Sequence, residues 1–148
     1  MTQLELNRDI KIIADSRTMR GTQAIFGGDM PGACLFALPE YIQKNRGVVQ
    51  AMTNAVVRAL KWLQTAGPRA LLRGMPEANL LGDRGLFLAI YQNMRESISM
   101  DGVTRDEAAR LSLKVMSGFD AAVKAERLDI SKVYSNMFAK QAKSQFDA

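Results

Sequence analysis

The chain has 148 residues, with 20 Lys and Arg against 15 Asp and Glu, no His and a single Cys. Without histidine there is no Ser-His or Cys-His nucleophile pair and no His-bearing metal site, and one cysteine rules out thiolate zinc motifs and an internal disulfide. The net charge of +5 comes from basic residues that alternate with acids, with no Lys/Arg run and no RNA-reading motif, so nucleic acid is not an expected partner.

The N-terminal stretch MTQLELNRDIK carries acidic and polar residues where a signal peptide needs an apolar run, which as written implies a cytoplasmic product. Ile10–Ala14 (IKIIA), bounded by Asp9 and Asp15, reads as a short buried strand. Ser16–Thr22 is polar and ends near a glycine, so it reads as loop. Gly27-Gly28-Asp29 and Pro31-Gly32 punctuate the next stretch. Ala33–Leu38 (ACLFAL) is the second expected strand, stopped by Pro39, and Cys34 within it reads as a buried structural thiol.

Pro39–Lys44 is expected to form one helical turn. From Arg46 to Ala66 the apolar residues Val48, Val49, Met52, Ala55, Val56, Ala59, Leu60 and Leu63 recur at helical spacing, with Arg46, Gln50, Asn54, Arg58 and Lys61 opposite them. Asn45 is the expected N-cap and Gly67-Pro68 the stop. Further helices are expected over Pro68–Met75, Asp83–Ile98 and Thr104–Phe119, the last opened by a Thr104/Glu107 capping box. A final helix spans about Ser131–Ser144. One domain of this length is expected to bury ~68–70% of its unfolded surface. Two strands are a marginal sheet alone, so the inventory resembles the outer layer of a larger α/β structure.

Few groups carry chemistry. Asp106 and Glu107 sit where a helix dipole accounts for them. Gly27-Gly28 lacks the surroundings of a phosphate or dinucleotide loop; a turn at positive φ and a ligand contact both remain open there. Asp15-Ser16-Arg17-Thr18 combines hydroxyls with a guanidinium fork suited to an oxyanion, and a solvated loop with an Asp15–Arg17 ion pair is the plain alternative. Phe26, Tyr41 and Trp62 offer stacking surfaces, although Trp62 lies inside the long helix.

Three segments, DIKIIADSRTMRGTQAIFGGDMP, ACLFALPEYIQKN and VVQAMTNAVVRALKWLQTAG, resemble the C-terminal portion of the substrate-binding proteins of ABC importers in the nitrate, sulfonate and taurine branch. LLGDRGLFLAIYQNMRESIS is similar to a C-terminal helix of the same proteins. Arg46-Gly47 departs from the family, which usually places a proline after the asparagine. The resemblance implies an α/β fold: a partial, type 2 periplasmic-binding-protein-like lobe over residues 1–148, with strand–loop–strand at about 9–38 and helices over about 39–148. It implies a truncated, non-catalytic, periplasmic solute-binding component without a cofactor, which captures a small anionic or organic solute and delivers it to permease subunits. A thiamine-pyrimidine-synthase-like enzyme of the same fold, or an inactive remnant, are the alternatives. The expected ligand contacts are Asp15, Ser16, Arg17, Thr18, Phe26, Gly27, Gly28 and Met30, at one rim of the sheet. Weak binding alone and self-association through uncovered apolar faces are expected.

Overall fold

The computed structural model describes residues 2–80, 82–125 and 128–146, and among them every regular element is helical. In chain order these are α1 (Thr2–Leu6), α2 (Met19–Phe26), α3 (Pro39–Lys44), α4 (Arg46–Thr65), α5 (Pro68–Gly74), α6 (Arg84–Met94), α7 (Asp106–Phe119), α8 (Ala121–Ala125), α9 (Ile130–Val133) and α10 (Met137–Phe146). Single 3-10 turns at Glu77–Leu80 and Arg95–Ser97 flank α6.

The α/β expectation is therefore corrected: neither 10–14 nor 33–38 is a strand. Isoleucine-rich runs supply strand propensity, but a strand needs a neighbour to fill its ladder. No described segment lies beside these runs in that role, and apart from the half-buried Ile12 their side chains are exposed. Ile13 is 97% exposed, Phe36 93% and Leu38 72%. Cys34 is exposed as well, not buried. The segment expected to be loop forms α2 instead. Thr18 caps it by accepting a hydrogen bond from the Gly21 N–H at 3.0 Å, and Gly27 closes it in the left-handed region at φ 82°.

The helices from α3 to α7 fall close to their expected bounds, but several ends are made differently. Asn45 does not cap α4; its amide donates back to the Tyr41 carbonyl at 3.0 Å. Asp83 caps α6 as expected, accepting from the Leu86 N–H. The Thr104/Glu107 box does not form. Asn136 clamps Thr104 instead, accepting from its N–H at 2.9 Å and donating to its carbonyl at 2.7 Å. That clamp occupies residues 134–136, and the expected helix over Ser131–Ser144 is accordingly split into α9 and α10.

The largest departure concerns which face of α4 is covered. Helix α10 packs along α4 on the side that carries the polar residues. Gln50 donates to the Phe138 carbonyl at 3.0 Å, Asn54 to Gln145 at 3.3 Å and Lys61 to the Phe146 carbonyl at 2.6 Å. The Arg46 and Arg58 guanidinium groups lie over the Phe138 and Phe146 rings. Val57, 1% exposed, is the apolar centre of this contact side. Val48, Met52, Ala55, Val56 and Ala59, on the apolar face read from the sequence, remain exposed.

A second core joins Ala66, Leu71 and Tyr91, with Leu63, Ala70, Phe87, Leu88 and Ile98 packed around them. The Tyr91 hydroxyl donates to the Leu63 carbonyl, tying α6 to α4. Burial is sparse overall. The accessible surface is 11013 Å², whereas a compact monomer of 16.3 kDa exposes about 7500 Å² by the usual scaling. The chain buries roughly half of its unfolded surface, short of the ~68–70% usual for its size. Among the described residues, no helix is long and apolar enough to cross a membrane.

Candidate functional site

The segment Asp15–Thr18 lies between the irregular residues 10–14 and the first turn of α2. Arg17 organises it. Its Nε donates to Asp15 Oδ1 at 2.8 Å and its Nη2 to Asp15 Oδ2 at 2.6 Å. The Arg17 backbone N–H also reaches Asp15 Oδ1, at 2.9 Å. The other edge of the guanidinium meets Glu5 of α1, Nη1 to Oε2 at 2.7 Å and Nη2 to Oε1 at 2.9 Å. Both edges of the fork are thus filled by carboxylates in bidentate fashion, the arrangement that gives such pairs their geometric specificity. A quarter of the Arg17 side chain stays exposed.

The surrounding chain fixes this turn. Ser97 Oγ donates to the Arg17 carbonyl, and the Met19 N–H donates to Glu96 at 3.1 Å. Thr22 Oγ1 bridges the Ser16 and Thr18 carbonyls at 3.0 and 2.9 Å. Hydrogen bonds from the Arg17 side chain and then its backbone lower the Asp15 pKa to about 2, and the Arg17 side chain also lowers that of Glu5. Asp15, followed by Glu5, raises the Arg17 pKa in return. All three groups therefore stay ionised near neutral pH, and the cluster carries one net negative charge. That state suits holding a charged partner; it does not suit moving a proton.

The second expected segment sits at the far end of α2, about 12 Å away by helical rise. Phe26 is half-buried in the last turn of the helix, and Gly27 follows it in the left-handed conformation. Gly28 lies so close to α7 that a Cβ there would meet Leu111 Cδ2 at 3.0 Å. Asp29 pairs with Arg105 at 2.9 Å, and Met30 sulfur accepts from Ser112 Oγ at 3.6 Å. The structure thus brings Asp15, Arg17 and Thr18 together and places Gly28 and Met30 against α7 in a separate contact, with Asp29 paired to Arg105 just before it. Of the other stacking candidates, Tyr41 is exposed on α3, and Trp62 packs its ring against Gly74.

Glu5 was invisible to sequence reasoning: it lies 12 residues from Arg17, in a stretch read only for what it lacked. Elsewhere the surface offers shallow depressions. One is lined by Arg110, Leu113, Lys114 and Leu128–Ser131, another by Trp62, Ala70, Arg73 and Gly74. Among the described residues, no three His, Cys, Asp or Glu side chains converge as a metal site would require.

No protein-family model and no curated protein matches the chain. A solved protein from Bordetella bronchiseptica RB50 is similar over 99% of this chain, at 37% identity and a TM-score of 0.93. The match covers 46% of that protein, so the chain spans less than half of its length. The all-helical architecture shared at this level does not fit a fragment of a type 2 periplasmic binding protein, and the resemblance drawn from sequence is corrected accordingly.

Proposed function

We propose that this chain is a non-catalytic binding protein and that Arg17 receives a small organic anion. One observation carries the reading: the Nη1/Nη2 edge of the Arg17 fork already holds a carboxylate in bidentate geometry, and that carboxylate, Glu5, comes from a five-residue helix. Asp15 fixes the Nε/Nη2 edge of the fork, so the guanidinium is pre-oriented. A solute carboxylate or sulfonate would take the place of Glu5. Groups that stay ionised near neutral pH and the lack of histidine favour capture over catalysis.

Titration calorimetry with taurine, methanesulfonate and acetate as probes tests this reading. Glu5 competes for the fork, so Glu5→Gln is expected to tighten binding of at least one probe about tenfold. Adding Arg17→Ala should then weaken it by roughly 10- to 100-fold, the ~1.5–3 kcal/mol of a charged hydrogen bond. Binding unaffected by either substitution, or no heat with any probe in Glu5→Gln, would contradict the reading.

A further inference from the structure

The exposed side of α4 is the least ordinary surface of the molecule. Val48, Met52 and Val56 succeed one another at four-residue spacing and are 48%, 53% and 38% exposed. Ala55 and Ala59 complete the stripe. The same chain region contributes Leu35, Phe36 and Leu38 immediately before α3, all of them exposed. A continuous apolar stripe along a 20-residue helix is the pattern of a buried face, and soluble monomers rarely leave such patches open.

Area indicates what kind of occupant fits. The chain exposes about 3500 Å² more than a compact monomer of its mass. That excess is spread over the whole chain, and it is large against the ~800 Å² per partner of a standard interface, so a substantial polypeptide is needed to cover it. The Bordetella protein supplies the complementary fact: a chain of nearly this fold continues for more than half its length outside the matched region.

We infer that the Val48–Met52–Val56 face of α4 is a docking surface for a polypeptide corresponding to the unmatched part of that longer protein, on the same chain or a separate one. The occupant presents an apolar surface and completes the core that α4 leaves open. This inference does not rest on solute binding.

The test places aspartate at position 56 in two proteins. In this chain alone Val56→Asp meets water, and its Tm should stay within about 2 °C of the parent, as for an ordinary surface change. In the full-length Bordetella protein, aspartate at the position aligned with Val56 should lower Tm by about 5 °C or more, because an unpaired charge is forced into an apolar contact. If that protein cannot be obtained folded, alanine at the position aligned with Met52 gives the graded form of the same loss. Equal tolerance in both proteins overturns the inference. So does a concentration-dependent dimer of this chain that Val56→Asp abolishes, because the occupant is then a second copy.

Discussion

Leu80→Ala is expected to cost about 2–5 kcal/mol, the range for removing a buried leucine side chain and leaving a cavity. Leu80 is 1% exposed and, with Val57, is one of the two largest fully buried side chains among the described residues. It ends the 3-10 turn Glu77–Leu80 that packs on α6, and its carbonyl accepts from the Asp83 N–H at 3.2 Å just before α6 begins. Ordinary domains are stable by about 5–15 kcal/mol, and this one buries less of its surface than usual. One cavity at Leu80 should therefore remove a large share of its stability. Urea unfolding should show a lower midpoint with an unchanged slope. Phe36→Ala, at a 93% exposed side chain, should shift stability by no more than about 0.5 kcal/mol. Equal effects at both positions would mean that the core has been misplaced.

Gly21→Ala is expected to destabilise, against the usual trend for a helix interior. Replacing glycine inside a helix ordinarily gains about 0.5–1 kcal/mol. Here a Cβ at position 21 would fall 1.7 Å from the Asp15 carbonyl oxygen and 2.9 Å from its carbon. Both are backbone atoms, so no side-chain rotation relieves the clash, and α2 must separate from the Asp15–Arg17 turn. Overpacking of this kind costs about 1–3 kcal/mol, occasionally more, which outweighs the propensity gain. Hydrogen exchange should locate the loss, with faster exchange at Thr22 and Gly27, whose amides close the first and last turns of α2. A stabilised variant, or unchanged exchange there, would show that α2 does not sit against Asp15.

Local signals in the sequence located most of the helices well. The Gly67-Pro68 stop, the Asp83 cap and the apolar spacing through α4, α6 and α7 depend on neighbours within a few residues, and such information is present in the chain itself. The errors arose where the outcome depends on distant or missing partners. Ile10–Ala14 and Ala33–Leu38 have strand composition, but composition cannot supply a ladder. The face of α4 was assigned by hydropathy, whereas α10 settles on the side where Gln50, Asn54 and Lys61 find the carbonyls and amides of the last helix. Asn136 displaced the Thr104/Glu107 box because a side chain 32 residues away holds Thr104 by both backbone groups. At the candidate site, Asp15 and Arg17 were legible because they are neighbours in sequence. Glu5 was not, and α2, read as loop, separates Phe26–Met30 from them.

The central claim is that α4 turns an apolar face outward in the isolated chain and that a larger polypeptide covers it. The most direct measurement is the alkylation rate of a thiol placed on that face. In Met52→Cys, with the native Cys34 changed to serine, the thiol should react in the isolated chain at close to the rate of a free thiol, at every protein concentration tried. A cysteine at the aligned position of the full-length Bordetella protein should react at least about tenfold more slowly. A slow rate in the isolated dilute chain, or equal fast rates in both proteins, would contradict the account.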